Sequence, residues 1–400
     1  MNNTKVLLGL ALSILLVLAL FVMYPLARNS AKPAKLEDKA SGPGTALEVP
    51  LMNIITVRVY RSDGRVETYQ KVGDPWTQNF MAAMANFLFG RYNTNPLSLY
   101  ARDGQVKTQV ETEYSYAGGS SLYNINPYLA IGIGTGSIAP SFYDVDLSNL
   151  IALIDVAAAG VSVTDNGTHI IASYTISYSA SSAVTVQEVG LYWKAADYGT
   201  NTYRYYLFAR DVLTAPVILA SGDVLGVTYT IAFLYNQPPM TYNFAALMFN
   251  YLFGLRYYGK ALTFTTTDGT AASTADFGTD FGAPDNIKEY AKVRFGNGVP
   301  SYNSKMVNVR MPVLTTSNVV VNANNNKTHF WFSLLLGYPF VNATTVTEAG
   351  LIIDSIDIDA GDHNNAKQLL VLYFPLQNPV SVPAQGAIKF TFNIVFRISP

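Results

Sequence analysis

The chain contains no cysteine, so it has no disulfide framework, no thiolate nucleophile and no cysteine-based metal site. An exported protein without disulfides has to be held by packing alone. Charge is scarce as well: 13% of the 400 residues are charged, 26 basic against 27 acidic, scattered and without a Lys/Arg stripe. That removes the electrostatic footprint of a nucleic-acid binder, and no nucleic-acid partner is expected. Histidine occurs only at His169, His329 and His363, far apart and outside any H-E-x-x-H pattern, which argues against zinc and triad chemistry. Gly132-Ile133-Gly134-Thr135-Gly136 lacks the Lys-Ser/Thr ending of a P-loop and no helical period follows it. It reads as a tight turn or bulge beside a close-packed strand.

What the chain has is tyrosine (27), glycine (29) and many Thr, Ser, Asn and Val residues, a composition suited to pleated, half-buried surfaces. It also repeats itself. Residues 76–90 (WTQNFMAAMANFLFG) return as residues 240–254 (MTYNFAALMFNYLFG), nine of fifteen positions being identical. Gly134-Thr135-Gly136 with Pro140-Ser141 is echoed by Gly296-Asn297-Gly298 with Pro300-Ser301. Thr185-Val186-Gln187-Glu188-Val189-Gly190-Leu191 returns as Thr345-Val346-Thr347-Glu348-Ala349-Gly350-Leu351, and residues 227–233 return as 390–396. Internal repetition sets architecture before any local assignment.

Each copy opens with a helical pattern. Phe80, Met84, Phe87 and Leu88 fall on one face of a 3.6 period, Asp74-Pro75 stands as cap and first-turn pair, and Gly90 and Gly254 sit where helices end. The remainder reads as short alternating strands between turns, as in residues 170–178 (IIASYTISY). The expected fold is mainly β: two tandem antiparallel β-sandwich domains, each preceded by one amphipathic helix, with an N-terminal transmembrane helix. The boundaries are 1–27 for the anchor or signal, 28–53 for a linker, 54–75 for a β-hairpin around Asp63-Gly64, 76–235 for repeat 1 and 240–400 for repeat 2.

Residues 6–24 (VLLGLALSILLVLALFVMY) carry no charge and nearly span a hydrocarbon core. The run is longer than a signal-peptide core and ends in Tyr24-Pro25, which favours a retained anchor over a cleaved signal. Lys5 precedes it and Arg28, Lys32 and Lys35 follow, so basic residues alone favour a cytoplasmic bulk. The rest of the chain leans to export, and acceptor tripeptides for N-glycosylation occur at Asn166, Asn326 and Asn342.

Glu188 and Glu348 are the carboxylates repeated inside an apolar motif. Arg210 is the natural cross-strand partner of Glu188, while Tyr373 takes its place in the second copy, so a structural ion pair is the expectation and a glycosidase pair is not. Asp354, Asp357, Asp359 and Asp362 form the best metal candidate, a calcium loop without EF-hand spacing, against the alternative of a solvated hairpin tip.

The order of helix, residues 131–136 (IGIGTG) with Pro140-Ser141, then Glu188-Val189-Gly190-Leu191-Tyr192, residues 207–212 (LFARDV) and Ser221-Gly222-Asp223 resembles β-sandwich modules in tail-fibre and other virion-associated surface proteins of phages and archaeal viruses. The resemblance covers most of residues 76–235 and, more loosely, 240–400. It implies a structural module and brings no catalytic residues. The expectation is a membrane-anchored surface or virion protein, not an enzyme, whose partners are the membrane, further copies of itself, or a host surface protein or glycan. Alternatives are a filament or surface-layer subunit joined by strand addition through residues 46–61, and an exported polysaccharide hydrolase.

Overall fold

The alternation read from the sequence becomes a ladder of antiparallel strands. The computed structural model describes residues 47–48, 51–74, 76–89, 97–107, 110–111, 128–197, 202–273, 276–277, 291–316, 320–325, 329–357 and 366–397. In the first copy, β2 (Leu51–Tyr60) and β3 (Val66–Val72) form a hairpin whose turn carries Gly64 at φ 86°, as the Asp-Gly pair predicted. Helix α1 (Gln78–Phe89) follows, then the short strands β4 (Leu99–Tyr100), β5 (Val106–Lys107) and β6 (Val110–Glu111). The long strands are β7 (Tyr128–Gly134), β8 (Leu150–Asp155), β9 (Val161–Asp165), β10 (His169–Ser179), β11 (Val184–Asp197), β12 (Tyr203–Leu219) and β13 (Val224–Leu234). They make two sheets, ordered β3-β2-β13-β10-β9 and β12-β11-β7-β8, with β6 paired to the end of β11.

The two sheets face one another. Ile55, Val57 and Val59 from β2, Ile170, Ala172, Tyr174 and Ile176 from β10, and Leu225, Val227 and Tyr229 from β13 share one core with Ile131, Ile133, Leu191, Trp193 and Phe208 of the other sheet. Period-two alternation accomplishes this, since every second side chain meets the opposing sheet.

The second copy repeats the plan. After α2 (Tyr242–Tyr251) come the short strands β14 (Phe264–Thr265), β15 (Ala271–Ala272) and β16 (Asp276–Phe277). The sheets are built from β17 (Ala291–Gly296), β18 (Pro312–Thr316), β19 (Val320–Asn325), β20 (His329–Pro339), β21 (Thr344–Asp357), β22 (Ala366–Val382) and β23 (Ala387–Arg397). β21 lies between β17 and β22, as β11 lies between β7 and β12, and β23-β20-β19 matches β13-β10-β9. One difference stands out: where β13 is flanked by the hairpin, β23 is flanked by the two-residue β1 (Leu47–Glu48), in parallel. Residues 51–60, which the strand-addition reading sent to a neighbour, pair instead with β13 of their own chain.

Three further expectations are corrected. Helix α1 starts after Thr77, not at Asp74-Pro75; Asp74 instead accepts Lys71 Nζ and the Val212 amide, tying the hairpin to β12. Thr241 caps α2 in the matching place, accepting the Phe244 amide. Helix α2 is not amphipathic in its setting, because residues 243–251 are all buried, the pattern of a helix enclosed on every side. Gly254 does end it, at φ 70°, whereas Gly90 lies outside the described residues.

The cause of that enclosure is the third correction. The boundary at residues 235–240 divides the strand pairings but not the core. Phe253 lies 5.8 Å from both Trp76 and Phe80 of the first copy, and Phe244 lies 5.4 Å from Phe233. Tyr258 accepts the Leu129 amide through its hydroxyl and packs 6.2 Å from Tyr174. The helix of copy 2 therefore completes the core of copy 1.

Among the described residues no helix is long and apolar enough to cross a membrane; residues 6–24 lie outside them.

Candidate functional site

Both copies place a bulge in the strand that carries the repeated glutamate. Register slips between Val186 and Glu188, and between Val346 and Glu348. The extra residue reverses the parity of the strand. Val186 points into the inter-sheet core, and beyond the bulge Val189, Leu191 and Trp193 do so. Glu188, Gly190 and Tyr192 are thereby turned to the outer face of the sheet.

That face is covered by the long connection from β7 to β8, residues 135–149. Leu147 from this loop packs on Ala130, Tyr192 and Leu207 as a small second core. In copy 2, Met306 and Val309 pack on Ile352, Leu370 and Tyr373 in the same way. The glutamate is the polar centre of this arrangement. Glu188 Oε1 accepts the amides of Gly136 (3.0 Å) and Asn149 (2.7 Å), and Oε2 accepts the amide (3.1 Å) and hydroxyl (3.0 Å) of Ser148. Arg210, opposite Gly190 on β12, adds Nε at 2.9 Å and a second guanidinium nitrogen at 2.8 Å. Its remaining donors reach Asp144 (2.9 Å) and the Ile138 carbonyl (2.9 Å).

Glu188 is fully buried. Burial pushes its carboxyl upward, but the amide of Asn149, the Arg210 guanidinium and the Ser148 amide outweigh that and hold it below the ordinary glutamate value. A carboxylate whose lone pairs are all taken is an anchor for the loop, with none left to accept a proton from a substrate. The glycines make room for it. A Cβ on Gly134 would stand 2.6 Å from Glu188 Oε1, and one on Gly296 2.7 Å from Glu348 Oε1. A ladder irregularity at Ile133/Gly134 and at Phe295/Gly296 accompanies both, so the glycine-rich segment is a bulged turn as expected.

In copy 2 the carboxylate is kept and its partner is changed. Tyr373 occupies the Arg210 position opposite Gly350 and donates its hydroxyl to Glu348 Oε2. The Arg310 amide donates to Oε1, and the Arg310 guanidinium stands 4.0 Å away, its side chain 39% exposed. The Arg210 pairing and the Tyr373 replacement were both legible in the sequence; the bulge that turns the glutamate outward, and the role of Arg310, were not.

A second polar cluster escaped sequence reading altogether. Asp211 is fully buried on β12, accepting the Tyr229 hydroxyl (2.7 Å) from the opposite sheet and the Asp74 amide from the hairpin's exit. Burial pushes its carboxyl up to about 7, against the lowering effect of those two bonds. At the hairpin's other end, Asp223 accepts Arg61 (2.8 Å) and the Ser62 amide (3.0 Å), and Arg61 also holds Glu67. The copy-to-copy pairing puts Phe374 and Phe392 where Asp211 and Tyr229 stand, and Gly386 where Asp223 stands. Such clamps accompany the hairpin and are absent where the hairpin is absent. A paired change of this kind was the available signal.

The candidate calcium loop is only partly placed. Asp354 and Asp357 lie on β21, with Asp357 opposite Asp276 and Ala366, while Asp359 and Asp362 lie outside the described residues. Among the described residues no group of three or more His, Asp or Glu side chains is arranged to hold a metal. His169 shares a 2.8 Å hydrogen bond with the Thr168 hydroxyl next to it; His329 begins β20, and His363 lies outside the described residues.

No family model matches the chain, and no curated protein matches it. Among solved structures, a 2'-deoxycytidine 5'-triphosphate deaminase from Agrobacterium tumefaciens aligns over 70% of this chain and 92% of its own length, at 8% identity and a TM-score of 0.09. A likeness at that level carries neither fold nor function.

Proposed function

We propose that the protein is a non-enzymatic, membrane-tethered structural or attachment protein of a virion or cell surface, built from two tandem helix-plus-sandwich modules. The observation that carries this reading is the fate of the repeated glutamate. In both copies it is consumed in fastening a loop to a sheet, and its partner changes from Arg210 to Tyr373 without loss of that fastening. A scaffold is retained while the partner of its buried carboxylate changes, which is what a structural module allows and a duplicated catalytic site does not. The apolar run at residues 6–24 supplies the tether, and the Tyr- and Asn-rich loops supply contact area at low entropic cost. Fractionation of the full chain tests the tether: recovery in the membrane or envelope fraction, with residues 46–400 accessible to external protease, is expected. Recovery in the soluble fraction would overturn it. Glycan hydrolysis by the full chain that is lost in both Glu188→Gln and Glu348→Gln while each variant stays folded would replace the reading with the hydrolase alternative.

A further inference from the structure

One turn keeps its side chains between the copies while losing its glycine. β9 and β10 are joined through Asn166-Gly167-Thr168 ahead of His169, and β19 and β20 through Asn326-Lys327-Thr328 ahead of His329. β10 and β20 are each 11 residues long and pair over their full length with β13 and β23, so the two tetrapeptides stand in the same place. Residues 326–328 lie outside the described residues, and copy 1 supplies the geometry. Asn166 is exposed at the tip, where its Oδ1 accepts the amides of Thr168 (3.0 Å) and His169 (2.7 Å) and the Thr168 hydroxyl (2.8 Å). A backbone amide can donate only to the oxygen of a carboxamide, so Nδ2 is the end turned away from the turn. The base of the turn is fixed by Tyr235, which donates its amide to the Thr168 carbonyl (3.0 Å) and its hydroxyl to Asp165 (2.5 Å).

The shape of the turn does not account for what is kept. Gly167 has φ 84°, left-handed backbone that favours glycine, yet copy 2 carries lysine in that place. Three other glycine turns, Asp63-Gly64-Arg65, Asp103-Gly104-Gln105 and Asp268-Gly269-Thr270, close the same way, but with an aspartate oxygen accepting the amide two residues on. The last two are counterparts, and both keep Asp-Gly. Aspartate would serve equally well as the acceptor at 166. What asparagine adds is the carboxamide nitrogen, and Asn with Thr two residues on, around a free middle position, is the pattern that N-glycosylation reads. The third such tripeptide, at Asn342, has Ser182 in the corresponding place of copy 1, so retention singles out one turn. We infer that Asn166 carries an N-linked glycan, transferred from a lipid-linked oligosaccharide by the host's glycosylation machinery. The bond from Nδ2 to the anomeric carbon of the sugar forms, the bond from that carbon to the lipid's phosphate breaks, the phosphate leaves with its electron pair, and Nδ2 gives up one proton. This inference rests on the export reading above, because a cytoplasmic bulk would not meet that machinery.

The test expresses the full chain in eukaryotic secretory cells and maps its peptides by mass after peptide:N-glycosidase treatment in heavy-oxygen water. Conversion of Asn166 to labelled aspartate is expected, together with a faster gel band for Asn166→Gln. Asn166→Asp keeps the turn's acceptor oxygen and should lose the glycan with an unchanged circular dichroism spectrum. Thr168→Ala should lose the label as well, and Thr168→Ser should retain it. Gly167→Lys writes the copy 2 tripeptide into copy 1 and should keep the label, which a role confined to the shape of the turn does not require. Protease digestion of intact vesicles from the same cells is scored separately. An unlabelled Asn166 on a chain shielded inside the vesicles would overturn the site and leave the export reading standing. An unlabelled Asn166 on a chain digested from the cytoplasmic side would overturn the export reading and the site with it.

Discussion

Copy 1 and copy 2 hold the same loop against the same face of the same sheet, and they do so with different chemistry. Copy 1 uses an enclosed ion pair, Glu188 with Arg210, whose guanidinium also reaches Asp144 and two loop carbonyls. Copy 2 uses a carboxylate and a phenol, with a half-exposed arginine nearby. The geometry that both require is backbone: a bulge before the glutamate and glycines where a Cβ would collide with it. Side-chain partners are therefore exchangeable where the bulge and the glycines are not. The other difference, the hairpin, brings its own buried clamps with it. Breaking the two copies apart, and then each clamp in turn, tests how far the likeness extends.

The largest effect should come from the joint between the copies. Phe253→Ala removes a ring packed on Trp76, Phe80 and Phe249. Truncating a buried aromatic costs about 3–5 kcal/mol. Because Phe253 belongs to copy 2 and fills copy 1, calorimetry should resolve one unfolding transition into two. A single transition with an unchanged midpoint would show that the copies are coupled elsewhere. Glu188→Gln should come next, at about 3 kcal/mol, because it removes the buried half of the pair and leaves the enclosed Arg210 charge only the partly exposed Asp144. Denaturant unfolding measures this loss, and a change under about 1 kcal/mol would mean that the loop, not the ion pair, holds the site together.

Copy 1 also carries a buried titratable carboxyl, Asp211, where copy 2 has Phe374. The Asp211 carboxyl is raised in the folded state, so that state holds its proton more tightly than the unfolded chain does. Stability from this group is fullest at low pH and declines as pH rises from the ordinary aspartate range through about 7. Glu188, held low, acts in the opposite sense: its contribution is present above the ordinary glutamate value and fades as pH falls through its folded value. Asp211→Asn should remove the decline on the alkaline side, a difference of about 2 kcal/mol between pH 5 and pH 8. Parallel pH profiles for variant and parent would show that Asp211 is not the source.

Much of this was legible in the chain because repetition and alternation are backbone-scale signals. The strands, the hairpin turn at Gly64, the helices, the Glu188–Arg210 pair and the substitution of Tyr373 could all be read from spacing and from one copy set beside the other. Packing between distant segments could not. Phe253 and Tyr258 look like the tail of an amphipathic helix until the structure seats them in the other copy's core. Asp74 looks like a cap because it precedes a helix, but the carboxylate goes to the strand across from it. Asp211 is missed for a related reason: nothing in a lone Arg-Asp pair says that one side chain faces the loop and the other the core. Strand parity decides it, and the upstream bulge in the neighbouring strand is invisible in sequence.

The smallest effect should be Glu348→Gln, and its size is the finest test of the comparison. The carboxylate's closest side-chain partner is the neutral Tyr373 hydroxyl, which burial and the carboxylate together push up to about 12. A hydroxyl can accept as well as donate, so an amide at position 348 can turn its nitrogen toward Tyr373 and keep a hydrogen bond. The Arg310 amide retains an oxygen to donate to, and the Arg310 guanidinium, 39% exposed, is served by water once the charge is gone. What remains is the difference between a charged and a neutral hydrogen bond, about 1 kcal/mol. Measured by denaturant unfolding beside Glu188→Gln, the loss should be about a third as large. Equal losses in the two variants would mean that the partner does not set the cost, and that the backbone amides at the bulge carry it in both copies.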